Sequence, residues 1–165
     1  YHILLSKRFD RSCCGMRIHF ASALTLLGLT DGDNASNVYG YPDMVDFILR
    51  NGTDVEQNLE ELYRRIVFNI IVGNSDDHFR NHGFLLTRKG WILSPAYDIN
   101  PSLAEEQSLL INHTTNVSDL NILMESTGEY MLQDERAKSI INEVKTAMKP
   151  WRSVAGKIGI PQRDI

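Results

Sequence analysis

Residues 73–81 read Gly73-Asn74-Ser75-Asp76-Asp77-His78-Phe79-Arg80-Asn81. This stretch places Asp76 five positions before Asn81, and a further carboxylate follows at Asp98. Phosphoryl transfer uses such groups in this order: one carboxylate orients the attacking hydroxyl, and then an amide and a second carboxylate hold magnesium. The order of the three side chains therefore indicates a phosphoryl-transfer site.

The residues that precede this loop predict a buried helix. Apolar residues recur at helical spacing from Val55, and residues 66–72 are almost all apolar. Thr53 or Asp54 can cap the start of this helix in a capping box, and Arg65 falls among the charged residues opposite the apolar stripe. A buried helix that leads straight into the loop gives the predicted site a rigid support.

A β-hairpin is predicted directly after the loop. Residues 83–87 and 91–94 are rich in apolar side chains and flank the turn residues Arg88-Lys89-Gly90. Because a hairpin returns its end near its start, Asn81 and Asp98 can converge on one metal ion. Oxygen ligands from one amide and one carboxylate suit magnesium, which takes waters and substrate phosphates as its remaining ligands.

Three observations keep other interpretations of these residues open. The same Asp-x4-Asn spacing occurs at Asp46 and Asn51, on a predicted helix where both residues are expected at the surface. One of the two adjacent aspartates of the loop could instead cap the backbone at the end of the helix. His78 and His82 suggest a hydrolytic metal centre, although no third His, Cys or carboxylate stands at a recognised zinc spacing.

Composition and charge restrict the class of protein. The 165 residues suit one domain, and their content of 42% hydrophobic and 23% charged residues is that of an ordinary globular protein. A net charge of −4 and a pI near 5.7 argue against a surface that follows nucleic-acid phosphates. No apolar run approaches the ~20 residues of a membrane span, no signal peptide is recognisable, and the two cysteines are adjacent. We therefore expect a cytoplasmic protein without a membrane or direct nucleic-acid partner.

The predicted fold is α+β, mainly α-helical with a small β-hairpin, in one domain over residues 1–165. Glycine or proline marks the ends of several predicted helices, as at Gly28 and Pro150. The other predicted elements are a short strand at 2–7, helices at 19–27, 42–51, 119–127, 133–148 and 150–158, and an irregular stretch from 99 to about 118.

The segment from about Lys7 to Asn100 resembles the HipA-like serine/threonine kinases, the toxins of bacterial HipBA toxin–antitoxin modules. Three motifs carry the resemblance: Arg8-Phe9-Asp10-Arg11 after a strand, the loop at 73–81, and Leu93-Ser94-Pro95-Ala96-Tyr97-Asp98. The resemblance implies the helical C-lobe of a protein-kinase-like fold, with ATP and Mg2+ as cofactors. It also implies a protein serine as phosphate acceptor and a HipB-like helix-turn-helix antitoxin as partner. Beyond about residue 105 the chain matches the family only in being helical.

The resemblance also implies a role for each matched residue. Asp76 would accept the proton of the substrate hydroxyl, and Asn81 and Asp98 would bind magnesium. Tyr97 precedes Asp98 and is expected to pack, with a nucleotide contact as the alternative. Adenine would meet the backbone of a hinge formed by Lys7, Arg8 and Phe9, the ribose would meet Asp10, and the phosphates would meet His78, Phe79, Arg80 and Asn81.

Two departures from the family pattern affect what the chain is expected to do alone. Kinases carry a Gly-rich loop and a strand lysine on an N-lobe upstream of the hinge, and no Gly-x-Gly-x-x-Gly motif occurs here. We therefore expect the chain to begin at the hinge, as a C-lobe fragment, a truncated product or half of a split kinase. It should be nearly inactive without its N-lobe or split partner. Arg80 stands where relatives commonly have Lys, which keeps the charge and changes its geometry.

Two alternative functions follow from the same residues. The run from Asp76 to Asn81 also fits Asp-x-His-x-x-Asn, which resembles the aminoglycoside, choline and phosphoinositide kinases that act on small molecules or lipids. The second alternative is a non-catalytic module that only docks an antitoxin or a missing lobe. If the chain is such a module, we expect it to co-purify with a small helix-turn-helix protein and to show no magnesium-dependent affinity for nucleotide.

Overall fold

A long helix, α3 (Val55–Val72), contacts several other elements of the fold and ends at the loop that carries Asp76. The computed structural model describes residues 5–101 and 105–161. The other helices are α1 (Ala23–Leu26), α2 (Tyr41–Asn51), α4 (Leu120–Glu125), α5 (Asp134–Met148) and α6 (Trp151–Lys157), with 3-10 turns at Ala35–Asn37 and Thr127–Tyr130. The strands are β1 (Phe20–Ser22), β2 (Gly83–Leu86) and β3 (Trp91–Leu93). The fold is therefore α+β, as predicted.

The core is built around one face of α3. Leu59, Leu62 and Tyr63 are fully buried there, and the helix contacts α2, α4 and α5. Burying each side chain of this size contributes about 1.5–3 kcal/mol, so the face holds α3 firmly in place. Gly73 ends the helix with a φ of 71°, which glycine adopts readily, and its N–H donates to the backbone oxygen of Asn69. The chain thereby turns out of α3 into the loop.

The predicted capping box at the start of α3 is wrong. Asp54 occupies the N-cap position with a φ of 50°, in the left-handed region, and its side chain makes no capping hydrogen bond. Asn58 instead donates from Nδ2 to the backbone oxygens of Thr53 at 2.6 Å and Asp54 at 3.1 Å. Oδ1 of Asn58 accepts the N–H of Leu93 at 2.6 Å, so this one residue ties the start of α3 to β3.

Most of the other predicted helices are confirmed. The predictions for 42–51, 133–148 and 150–158 correspond to α2, α5 and α6, with small shifts at the ends. The segment at 119–127 instead divides into α4 and the 3-10 turn Thr127–Tyr130. None of the described helices is both long and apolar enough to cross a membrane.

An ion-pair cluster joins α3 to α5 at the edge of the core. Arg64 pairs with Glu143 at 2.7 Å, and Arg136 pairs with Glu143 at 2.8 Å and also with Glu60. Hydrogen bonds from Arg64, Ser139 and Arg136 lower the pKa of Glu143 to about 2. The cluster fixes α5 against the helix that leads into the loop.

The predicted hairpin is confirmed as β2 and β3. A further strand, β1, extends it to a three-stranded antiparallel sheet within the described residues, in the order β1–β2–β3. Phe84 of β2 lies opposite Leu93 of β3, and Leu85 of β2 lies opposite Phe20 of β1. The sheet therefore holds β2, the strand that follows the loop, between β1 and β3.

Two predictions near the N-terminus differ from the structure. The helix predicted at 19–27 is wrong in its first part: Phe20–Ser22 form β1, because their backbone pairs with β2, and only Ala23–Leu26 are helical. Of the strand predicted at 2–7, residues 1–4 lie outside the described residues, and residues 5–7 form no strand.

Candidate active site

The side chain of Asn81 connects the two parts of the predicted site. Its Nδ2 donates to the backbone oxygen of Asp76 at 3.3 Å and to that of Asp98 at 3.4 Å. Asn81 is 8% exposed, whereas Asp76 and Asp98 are exposed. Since the nitrogen end of the amide faces these two carbonyl groups, Oδ1 is left at the opposite end as an acceptor or ligand. The structure therefore brings the three residues together.

Asp98 is held in an uncommon backbone conformation beside Asn81. Its φ is 54°, in the left-handed region that Asp and Asn tolerate better than most residues, and its Oδ1 accepts from Asn100 Nδ2 at 3.0 Å. The Asp98 carboxylate and Asn81 Oδ1 are the kinds of oxygen that Mg2+ prefers. No cluster of three or more His, Cys, Asp or Glu within the described ranges could hold a metal ion. A Mg2+ ion held by these two oxygens would take water and phosphate oxygens as its remaining ligands.

Asp77 is the buried acceptor of a hydrogen-bond network. Its Oδ2 accepts from the Tyr41 hydroxyl at 2.6 Å and from Asn69 Nδ2 at 2.8 Å, and it lies 2.6 Å from His82 Nε2. Burial acts to raise the pKa of Asp77, but the charge of His82 and the hydrogen bonds outweigh it and lower the pKa. Asp77 thus binds side chains from three segments rather than capping a helix. The Nε2 atom of His82 lies against Asp77, and among the described residues no group of three or more His, Cys, Asp or Glu is placed to form the hydrolytic metal centre considered from the sequence.

An aromatic cluster joins the predicted hinge to the predicted metal segment. The ring of Phe9 lies 5.6 Å from that of Phe20 and 5.8 Å from that of Tyr97. The Tyr97 hydroxyl donates to the backbone oxygen of Arg80 at 2.7 Å, and burial raises the pKa of Tyr97 to about 12. Tyr97 therefore packs, as expected, and also supports the turn that precedes Asn81.

Around the predicted hinge, the charged side chains of Arg8 and Arg11 both pair with Asp10. Lys7 and Arg8 are exposed. Asp10 pairs with Arg8 at 2.6 Å and with Arg11 at 2.7 Å. The hydrogen bond from Arg8 is the main reason that the pKa of Asp10 falls to about 2. A contact between Asp10 and a ribose hydroxyl would have to share this carboxylate with two arginines.

The three residues between Asp77 and Asn81 face different surroundings. Arg80 donates from Nη1 to Asp31 Oδ1 at 2.5 Å, and its Nη2 lies 3.4 Å from His78 Nε2. These side chains line a cavity of about 170 Å3 together with Asp76. The ring of Phe79 is 1% exposed and belongs to the hydrophobic core. The structure thus brings His78 and Arg80 to the side of Asp76 and does not bring the side chain of Phe79 to the surface of the site.

A second cleft, of about 450 Å3, lies between α3 and α5. Arg65 and Tyr97 are among the residues that line it, together with Asn81. Arg65 was predicted on the charged face of α3, but it is buried and donates to the backbone oxygen of Ser94 and, at 3.1 Å, to Glu61. It therefore anchors the Leu93–Asp98 motif at Ser94.

Sequence reasoning missed the supporting residues of this site. Tyr41 and Asn69 hold Asp77, and Arg65 holds Ser94. The available signal was the position of Asn69 in the buried stripe of α3, where a polar side chain requires a hydrogen-bond partner. No comparable signal marks Tyr41 in the sequence, because its partner is 36 residues away.

Comparison with known proteins shows the family of this chain. A family model described as the HipA-like C-terminal domain matches residues 1–151. A chain of the Shewanella oneidensis MR-1 toxin–antitoxin complex of HipA, HipB and operator DNA has a similar fold, with a TM-score of 0.68 and 18% identity. That match covers 94% of this chain and 42% of the Shewanella chain, so this chain spans less than half of its length. None of the curated proteins matches this chain. The protein belongs to the family of HipA-like C-terminal domains.

Proposed function

We propose that this chain is the ATP-binding, catalytic C-lobe of a serine/threonine protein kinase, the toxin of a toxin–antitoxin pair. The observation that carries the proposal is the Asn81 amide, which joins the backbone of Asp76 to that of Asp98. A kinase needs one carboxylate at the acceptor hydroxyl, and an amide and a second carboxylate at the metal, within one site. Membership of the HipA-like family supports the same function.

Asp76 is the group proposed to face the acceptor hydroxyl. The serine oxygen attacks the γ-phosphorus of ATP while its proton passes to the Asp76 carboxylate. A new oxygen–phosphorus bond forms, the bond between the γ-phosphorus and the β–γ bridging oxygen breaks, and ADP leaves. Asp76 is exposed beside the 170 Å3 cavity, which offers room for a serine side chain.

Asn81 and Asp98 are the proposed magnesium ligands. Mg2+ held by Asn81 Oδ1 and the Asp98 carboxylate would neutralise charge on the β- and γ-phosphate oxygens. The hydrogen bond from Asn81 Nδ2 to the backbone oxygen of Asp98 holds the two ligand-bearing residues next to each other. This arrangement matters because phosphoryl transfer depends almost entirely on orientation and electrostatic stabilisation.

The nucleotide is proposed to lie between the hinge and the loop. Adenine would meet the backbone at residues 7–9, where Phe9 is held by its contacts with Phe20 and Tyr97. The ribose would meet Asp10, and the phosphates would lie along residues 78–81. Phe79 would contribute through its backbone alone, since its ring is in the core.

The partners of the chain are part of the proposal. The similar Shewanella chain is more than twice as long as the segment matched here, and it comes from a complex with HipB and operator DNA. We propose a HipB-like helix-turn-helix antitoxin and a protein serine substrate for this protein. An N-lobe, on the same polypeptide or a separate one, would supply the Gly-rich loop and the lysine. The net charge of −4 favours contact with DNA through the antitoxin rather than directly.

Calorimetric titration of this chain with ATP tests the proposed nucleotide site. We expect affinity that requires Mg2+ and that falls roughly tenfold or more in Asp98→Asn, because a charged metal ligand is lost. Asp46→Asn is the matched control: Asp46 begins the second Asp-x4-Asn interval but is exposed on α2, where it pairs with Arg50 at 3.1 Å. Absence of magnesium-dependent binding would contradict the proposal and favour the non-catalytic docking module. Affinity unchanged in Asp98→Asn would contradict the assigned metal ligand.

A further inference from the structure

The hydrogen-bond network of Asp77 gathers three distant segments at one oxygen atom. Tyr41 is the first residue of α2, Asn69 lies in the last turns of α3, and His82 immediately precedes β2. Each of these side chains is buried, and so is Asp77, at 3% exposed. Because Oδ2 of Asp77 is the common acceptor, its position depends on all three segments.

The network lies directly beside both functional groups of the loop. Asp77 follows Asp76, and His82 follows Asn81. Since the trans peptide unit fixes the distance between neighbouring α-carbons at about 3.8 Å, holding Asp77 and His82 limits where Asp76 and Asn81 can lie. Asn74 adds a further contact, because its Nδ2 donates to Asn69 Oδ1 at 3.1 Å. The loop is thereby held at its start, its middle and its end.

The strength of these contacts follows from the charge of Asp77. Hydrogen bonds to an ionised acceptor are shorter and roughly twice as strong as neutral ones, which agrees with two contacts of 2.6 Å. A buried carboxylate also needs all of its donors, since an unsatisfied buried charge is costly. Removing one donor should therefore loosen the loop, while the remaining donors and the core keep the chain folded.

We infer that Asp77 is a positioning residue for the proposed phosphoryl transfer: held by Tyr41, Asn69 and His82, it fixes Asp76 relative to Asn81. Asp77 is buried, with its Oδ2 engaged by these three side chains, and it acts through its neighbour Asp76. The inference rests on the proposed function for its catalytic consequence. Its structural content, a loop fixed by one buried oxygen, is testable without any activity.

The test compares Tyr41→Phe with Tyr63→Phe. Both tyrosines are fully buried, and each loses only a hydroxyl; that of Tyr63 lies 3.4 Å from Met124 Sδ, a contact outside the Asp77 network. Amide hydrogen exchange at Asn74 and Asn81, whose N–H groups are hydrogen-bonded, is measured by NMR on this chain. We expect exchange to rise roughly tenfold in Tyr41→Phe, and not in Tyr63→Phe, because one hydrogen bond to a charged group is lost.

The same variants are then assayed in the protein joined to its N-lobe. We expect kcat of Tyr41→Phe to fall roughly tenfold with KM for ATP within about twofold, since Asp76 is displaced while the hinge is intact. Asp77→Asn, which keeps the shape and removes the charge, should act in the same direction. Unchanged exchange, equal effects of both tyrosine variants, or unchanged kcat despite faster exchange would overturn the inference. A different outcome is also informative: the wild-type protein transfers no phosphate while the exchange of the two tyrosine variants still differs. That result would contradict the proposed function and would leave the anchoring of the loop by Asp77 supported.

Discussion

Nδ2 of Asn81 lies 3.4 Å from the backbone oxygen of Asp98, which joins the loop after α3 to the segment after the hairpin. The same nitrogen reaches the backbone oxygen of Asp76 at 3.3 Å. The amide therefore acts as a structural donor at one end and offers an oxygen at the other. This double use explains why an amide suits this position better than a carboxylate, which has no hydrogen to donate.

Asn81→Asp should destabilise the fold as well as the site. The substitution places a carboxylate against two carbonyl oxygens that have lost their donor, which should cost about 1–3 kcal/mol in the free energy of unfolding. Asn51→Asp is the control, because the Asn51 amide also donates to a backbone oxygen, that of Phe47 at 3.3 Å, but at an exposed position. Urea denaturation of both variants measures the difference. Equal stability of Asn81→Asp and the wild type would contradict the bridging role.

Tyr97→Phe should weaken the turn before Asn81 and keep the aromatic cluster. It removes the hydrogen bond to the backbone oxygen of Arg80, so we expect a loss of about 0.5–1.5 kcal/mol in the free energy of unfolding. Tyr130→Phe provides the comparison, since the buried Tyr130 hydroxyl has no hydrogen-bond partner within the part of the chain that is described. That variant should be neutral or stabilising. Thermal or chemical denaturation gives both values, and a reversed order would argue against this assignment.

Arg65→Lys should be among the more damaging conservative substitutions. An ammonium group cannot reproduce the planar fork that contacts Ser94 and Glu61, and burial leaves no water to compensate. We expect a loss of about 2–3 kcal/mol in the free energy of unfolding. Arg50→Lys, at an exposed i,i+4 pair with Asp46, should change it by less than about 0.5 kcal/mol. Similar losses in the two variants would show that Arg65 does not anchor the Leu93–Asp98 motif.

Stability should fall with acid pH through the cluster that joins α3 to α5. The folded pKa of Glu143 is about 2, below its ordinary value of 4.5, because of hydrogen bonds from Arg64, Ser139 and Arg136. A lowered pKa stabilises the fold above about pH 4.5, and this contribution is lost as pH falls towards 2. Melting temperatures between pH 6 and pH 2 should therefore drop less steeply in Glu143→Gln than in the wild type.

Two further measurements separate this cluster from general acid effects. Glu56→Gln, in the first turn of α3 and outside the cluster, should follow the wild-type curve. High salt should reduce the difference between wild type and Glu143→Gln, because the pairs are partly exposed. Parallel curves for wild type and Glu143→Gln over the whole range would rule out the cluster as a source of stability.

Much of this fold could be predicted because its elements have local signals. α2 and α3 show helical periodicity, and the hairpin has two apolar runs around Arg88-Lys89-Gly90. β1 could not be predicted in the same way, since its three residues become a strand only by pairing with β2. The apolar residues at Phe20, Ala23 and Leu24 fit a helix equally well when read alone.

The residues of the candidate site also differ in how far local sequence patterns predict their positions. The meeting of Asn81 and Asp98 follows from hairpin topology, and the structure places the two side by side. The anchoring of Asp77 by Tyr41 depends on how α2 packs against α3, which no local pattern encodes. The side chains proposed to do chemistry could therefore be named from the sequence, whereas Tyr41, which holds Asp77 in place, could not.

Transfer of labelled γ-phosphate from ATP to a protein serine, with Mg2+ and the N-lobe present, tests the kinase assignment most directly. Wild type, Asp76→Asn and Asp46→Asn are compared at equal folded concentration. We expect Asp46→Asn to match the wild type and Asp76→Asn to lose roughly 10²–10⁴-fold in rate without unfolding, as for removal of a general base. Wild-type rates retained in Asp76→Asn, or no transfer to serine by the wild type, would contradict the assignment.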